Sequence, residues 1–276
     1  MRPSRSELRT HAPVSAQVGQ SRRAVRATFR AAMLESWANR RSFWTQLAAM
    51  FVNDIAWVAF WVLFFEEVGE VRGWARADAL MLLAVITTAA GFVLGVTGNV
   101  RRVASVIADG ELDAALALPT PTLVHLLARR IEPVNIGDLV FGCLLFALAG
   151  DPTPARIAVF AFGVVTAVFV YGGFLLALGS LAFRTGRGEV GELGFHAVTM
   201  LASYPVDIFS GPTKFVLYTV VPSAFVSSVP VRLLDSFDPQ WAALGAGAAL
   251  LSATIGVVSF QTGLRRYTSG AAWTRA

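Results

Sequence analysis

Residues 99–131, NVRRVASVIADGELDAALALPTPTLVHLLARRI, interrupt the apolar runs on either side with the densest set of polar groups in the middle of the chain. The stretch opens on Arg101 and Arg102, closes on Arg129 and Arg130, and carries the turn Asp109-Gly110-Glu111-Leu112-Asp113. Asp109 can cap a helix, and Glu111 and Asp113 fall in its first turn, where carboxylates complement the helix dipole. Leu112 and Leu116, four apart, share a face and form an apolar ridge that would fit a groove on a partner. That is docking chemistry rather than catalysis. The same acids would also serve simply to cap and solubilise a loop helix.

A second group lies inside an apolar run. Asn53, Asp54 and Trp57 sit within residues 43–65, where a carboxylate at the centre of a span costs about 2.5–3.5 kcal/mol. Asp54 must therefore face protein or water, on a translocation path, in a helix contact that matters for gating, or as a hydrogen-bonded packing group. Asp138 falls one turn inside the next span but one, close enough in sequence to Arg129 and Arg130 for an ion pair to be expected.

Other chemistries are excluded by residue type. Lys214 is the sole lysine and stands in Pro212-Thr213-Lys214-Phe215, so there is no Gly-Lys-Ser/Thr loop to cradle a nucleotide. His11, His125 and His196 have no metal-ligand spacing, and Cys143 is alone. No G-x-S-x-G elbow, HExxH or paired intramembrane carboxylate motif is visible, which argues against a membrane-embedded enzyme. The chain is expected to bind no cofactor or metal itself.

The elements that hold these groups are membrane spans. Hydrophobic residues make up 55% of the 276, charged residues only 15% against about a quarter in soluble domains, and the mean hydropathy is +0.60. The fold expected is an all-α integral membrane protein with six transmembrane helices at about 43–65, 79–98, 133–149, 155–183, 193–209 and 241–260. Residues 1–21 read as a disordered leader and 22–42 as an interfacial helix with Val25, Phe29, Met33 and Trp37 on one stripe. Residues 212–230, broken by Pro222 and closed by Pro230, are short for a span and read as re-entrant, and 269–276 as a tail. This topology puts eighteen arginines on one side and leaves Arg72, Arg76, Arg156, Lys214 and Arg232 on the other, so both termini and the 99–131 loop are expected in the cytoplasm. The net charge of +5 is thereby explained by orientation in a lipid bilayer, not by nucleic acid.

The order of these motifs resembles a known family. Asp109-Gly110-Glu111-Leu112-Asp113 with Leu116 and Pro119 between the second and third spans, then Tyr204-Pro205-Val206-Asp207-Ile208-Phe209 and Val221-Pro222-Ser223-Ala224-Phe225-Val226 before the last span, are similar to the type-2 class of ABC exporter permeases. The likeness covers most of residues 22–268 and is nearest a six-helix bacterial subgroup with the Tyr-Pro element and no fused ATPase. It implies a permease in the bacterial cytoplasmic membrane whose loop 99–131 carries a coupling helix, at residues 109–118, for a separate ATPase subunit. ATP and Mg would be bound on that partner, and a second permease, identical or homologous, would complete the path. It further implies that Tyr204, Pro205, Pro222 and Phe225 support an external gate, and that hydrophobic small molecules such as antibiotics are exported. Leu118 stands where such permeases usually have an arginine before the proline. Lipid or glycoconjugate export is an open alternative, as is an ion-driven secondary transporter using Asp54, Asp138 and His196 as relays, although such folds usually break helices in both halves.

Overall fold

The computed structural model describes residues 26–267 except 35, 36, 38, 39, 119 and 120. The expectations for the leader, the tail and Pro119 lie outside the described residues, as do parts of the 22–42 helix, of which 26–34 (α1) are helical. The described residues form helices joined by turns, with one isolated bridge between Val71 and Trp74.

Among the described residues, four helices are long and apolar enough to cross a bilayer: α2 (Arg40–Val68), α3 (Arg76–Ala90) with its continuation to Val96, α8 (Pro154–Gly179) with the turn α9 (Ala182–Thr185), and α14 (Pro239–Arg265). Two shorter apolar helices, α7 (Pro133–Ala149) and α10 (Val190–Ala202), stand beside them. Prolines start three of the six. Pro133, Pro154 and Pro239 occupy the first turn, where a missing N–H costs nothing, and Thr153 and Asp238 cap α8 and α14 by accepting from the Arg156 and Gln240 backbone N–H groups. α2 is a span of about 43 Å at 1.5 Å per residue, yet only Asp54, Trp61 and Phe65 are buried along it. Val52, Ile55, Phe60 and Leu63 face outward, as suits lipid.

α3 is the opposite case, with ten of fifteen residues buried. Gly91 begins a π-helical turn, Gly91–Val96, and glycine there has a physical reason. A Cβ on Gly91 would meet the Leu139 backbone, and one on Gly95 would lie 3.1 Å from the Ile136 nitrogen, so α3 and α7 touch backbone to backbone. The GxxxG spacing is thus an intrachain packing face.

Polar residues 97–132 form α4 (Val103–Ala108), α5 (Leu112–Leu116) and α6 (Thr122–Ala128). After α10 the chain turns at Tyr204-Pro205 and makes α11 (Gly211–Thr219), α12 (Ser223–Val226) and α13 (Ser228–Asp235). This segment returns to the end of the bundle that it left: Arg232 bonds Asp207, and Arg156 at the start of α8 donates to the Leu234 carbonyl at 3.1 Å. α14 then runs parallel to α8, ending where Phe260 and Tyr267 meet Phe183.

Two boundaries at prolines differ from the sequence expectation. α10 stops at Ala202 rather than 209, because Pro205 cannot donate to continue it and Val206–Ile208 is a 3-10 turn. Pro230 closes nothing; it is the third residue of α13, another position whose N–H has no helical acceptor.

Candidate functional site

Three levels of the bundle carry the residues singled out above. At the end formed by the 99–131 loop, the first turns are nested into the helices above them. Asn99 Nδ2 donates to the Leu126 carbonyl at 2.7 Å, Gly191 sits against the Arg101 carbonyl and Gly188 against Ser105. Arg101 lies 3.1 Å from Glu192 on α10 and its guanidinium stands 5.0 Å from the Phe195 ring centroid. Arg101 is therefore a tie between the loop and α10, and Arg102 sits in the turn just before α4.

The acidic turn is arranged differently from the expectation. Asp109 follows the last residue of α4 and caps no N-terminus; Gly110, at φ +75°, reverses the chain, and Glu111 occupies the cap position of α5 without a side-chain bond. Leu112 is 0% exposed while Leu116 is 45% and Leu118 42% exposed. One apolar ridge from Leu112 to Leu116 does not form, since Leu112 anchors α5 inward. The outward apolar pair is Leu116 with Leu118, beside Glu111 and the first-turn acid Asp113. His125 on α6 is half-buried within reach of Thr28 (3.3 Å); burial and the Arg129 charge hold its pKa below the usual value.

At mid-height, Asp54 does not stand alone and Asp138 does not pair with Arg129 or Arg130; the Arg130 guanidinium lies 3.4 Å from Glu132 instead. The two carboxyl groups are in hydrogen-bonding contact with each other, at 3% and 4% exposure. They line a cavity of about 100 Å³ between α2, α3, α7 and α10, with Asn53 and Trp57 in its wall. The pairing joins positions 84 residues apart, so no sequence motif could have displayed it.

At the opposite end, Tyr204 packs edge-on between Trp57 and Trp61, with ring centroids at 6.2 and 5.9 Å. Pro205 turns the chain so that the Val206 N–H donates to Ser228 Oγ at 3.0 Å. Pro222 separates α11 from α12, and Phe225 meets Tyr218 edge to face at 5.5 Å. The polar centre of this end is Asp207. Its carboxylate accepts from Lys214 Nζ and Arg232 Nη2, both at 2.6 Å, and from Trp74 Nε1 at 3.0 Å, while its carbonyl accepts from Arg72 at 3.0 Å. Burial pushes the carboxyl upward, but the bonds from Lys214, Arg232 and Trp74 outweigh it and hold the pKa at about 2. Asp207 thus clamps the 72–74 turn to α11 and α13. Sequence reasoning did not mark Trp74, and it placed Lys214 and Arg232 on the outer side only as charges, with no partner for either.

A sequence model described as ABC-2 family transporter protein matches residues 51–271. The chain belongs to the ABC-2 transporter family. The match runs from Phe51 in α2 past the end of α14, so the nested loop, the carboxyl pair and the Asp207 clamp all fall within the ABC-2 region. As an ABC-2 family chain with spanning helices it is a multi-pass membrane component of a transporter. Comparison with curated proteins and with solved structures found no match.

Proposed function

We propose that this protein is the permease subunit of an ABC exporter in a bacterial cytoplasmic membrane. Six spans, α2, α3, α7, α8, α10 and α14, cross with both termini in the cytoplasm, and α11 to α13 form a re-entrant plug on the outer side. Residues 99–131 receive a separate ATPase subunit, which carries ATP and Mg, and a second permease completes the path. The cargo is a hydrophobic small molecule.

The observation that carries this reading is the continuity from loop to gate. Glu111, Leu116 and Leu118 are exposed at and beside α5, with Asp113 partly buried next to them, and the same loop is tied through Arg101 to Glu192 on α10. The far end of α10 leads directly into Tyr204, Pro205 and the Asp207 clamp. A push on the loop by a partner is transmitted along one rigid helix to the outer seal. Coupling by docking needs no catalytic group on this chain, which fits a single lysine outside any phosphate loop.

The test is co-purification with the ATPase encoded beside the gene. The wild-type pair is expected to stay together, and Glu111→Arg with Asp113→Arg to separate it; a double variant that still holds the ATPase sinks the docking role. Cysteine labelling at position 269 checks the topology, since an external reagent on intact cells reaches it only if residues 215–229 cross. One observation, the buried Asp54 and Asp138 pair, favours an ion-driven transporter instead. Export that persists without ATP but stops when ion gradients collapse would establish that alternative.

A further inference from the structure

The carboxyl pair is the feature that the coupling mechanism leaves unused. Asp54 comes from α2 and Asp138 from α7, each more than nine-tenths buried, and each keeps an oxygen, Asp54 Oδ2 and Asp138 Oδ1, with no donor. Both line the same cavity. Two carboxylates in contact at this depth cannot both be ionised without a cation, because like charges repel and neither is solvated. The surrounding elements offer no cation of their own. Within the lining α3 contributes Leu83, Ile86, Thr87 and Ala90, α10 contributes Thr199, and Ser203 follows its end; behind them, the Tyr171 hydroxyl of α8 is hydrogen-bonded to Thr199 at 2.6 Å. Arg101 is engaged with Glu192 and Phe195. The pair therefore holds a proton until something positive replaces it.

The shape of the cavity selects what that could be. About 100 Å³ is far below the few hundred Å³ that enclose a drug-sized molecule. It accommodates a head group. Half of the lining is apolar or aromatic, with Trp57 and Phe141 beside the acids, which suits an alkylated ammonium better than a hard metal ion that demands about six oxygens. No cluster of three or more metal-ligating acids, histidines or cysteines occurs among the described residues. Met50 and Trp57 of α2 line the same cavity, so an attached hydrocarbon has apolar side chains of α2 to lie against.

We infer that the Asp54 and Asp138 carboxyls form a binding pocket for the ammonium head of an amphiphilic organic cation, which displaces the shared proton while its apolar tail lies along α2. The inference rests on the permease reading and narrows its cargo from hydrophobic molecules to cationic amphiphiles. A neutral cargo leaves the pair protonated and gains nothing from it. Substrate charge and the pair's proton are thus alternatives at one place.

The experiment is equilibrium binding to the purified full-length chain in detergent micelles, with hexyltrimethylammonium as the probe, 1-hexanol as its neutral counterpart, and sodium chloride as the inorganic competitor. Wild type is expected to bind the ammonium saturably and not the alcohol, and Asp54→Asn and Asp138→Asn, which keep volume and hydrogen bonding, are each expected to weaken it about tenfold or more. Asp138→Glu, keeping the charge, should recover part of the loss, which a purely structural role would not allow. Folding of each variant is checked by monodispersity and by retention of the ATPase partner. Equal binding of alcohol and ammonium, unchanged affinity in both Asn variants, or displacement of the probe by millimolar sodium overturns the inference. If the probe fails to bind while the ATPase complex forms, the permease reading stands and the head-group pocket is wrong; if the complex also fails to form, the permease reading falls with it.

Discussion

Replacing Asp207 by Asn removes the negative centre of the outer clamp and leaves Lys214, Arg232 and Trp74 in place. The size of the effect follows from the titration of the group. A carboxyl held at about 2 instead of 3.8 is stabilised in its ionised form by the difference, roughly 2 kcal/mol at about 1.36 kcal/mol for each pH unit. The Asp207 side chain is 15% exposed, so most of that survives solvent screening, although Lys214 and Arg232 at 39% and 35% make it an upper bound. The folded value is the depressed one, so the contribution is complete above about pH 4 and disappears as pH falls towards 2, with about half gone at pH 3. Thermal denaturation of the purified chain in detergent, followed by tryptophan emission, should show Asp207→Asn melting several degrees below wild type at neutral pH. The gap should narrow on acidification below pH 4. A variant as stable as wild type at pH 7, or a gap of constant width from pH 6 to pH 3, would refute the assignment of Asp207 as an ionised clamp. Lys214→Met and Arg232→Met, each combined with Asp207→Asn, should lower stability by less than the sum of the single changes.

Three further outcomes test other parts of the structure. Leu116→Asp with Leu118→Asp is expected to weaken ATPase retention without lowering the yield of folded chain, whereas Leu112→Asp, at a fully buried position, should abolish folded protein as judged by gel filtration. Gly91→Ala places a methyl against the Leu139 backbone and should cost more stability in a melting assay than Gly69→Ala, whose added Cβ meets nothing within 4 Å and whose cost is confined to its φ of +77°. His125 is held neutral by burial and Arg129, so its native contribution is whole above its ordinary value near 6.5 and is lost as pH falls through its lower folded value; His125→Gln should flatten the acid limb of stability in that window.

Much of this fold is written in local sequence. Apolar run length places the four long helices, and Pro133, Pro154 and Pro239 mark helix starts, because each signal depends only on residues within a turn or two. The broken segment after α10 is legible for the same reason, through Pro222, but the apolar run past Pro205 extends the expected span to 209 where α10 ends at Ala202. Pro230 misleads because a proline ends a helix or begins one according to what precedes it, and the deciding residues Ser227 and Ser228 look like loop. Leu112 misleads because residue spacing gives a shared face but not which side of that face is covered. The contact between Asp54 and Asp138 and the clamp from Trp74 to Asp207, 133 residues apart, are set by how whole helices pack, and no window along the chain contains both partners.

The contact between α8 and α14 has a mechanical meaning. A Cβ on Gly256 would lie 2.6 Å from the Gly173 carbonyl oxygen, and one on Gly173 would lie 2.6 Å from the Ala253 nitrogen. The two parallel helices therefore meet main chain to main chain around Gly173 and Gly256. Sliding either helix by one residue, about 1.5 Å, would push a side chain into that notch. Tilting about the notch leaves it intact. The pair works like a rivet, resisting axial travel of one helix along the other.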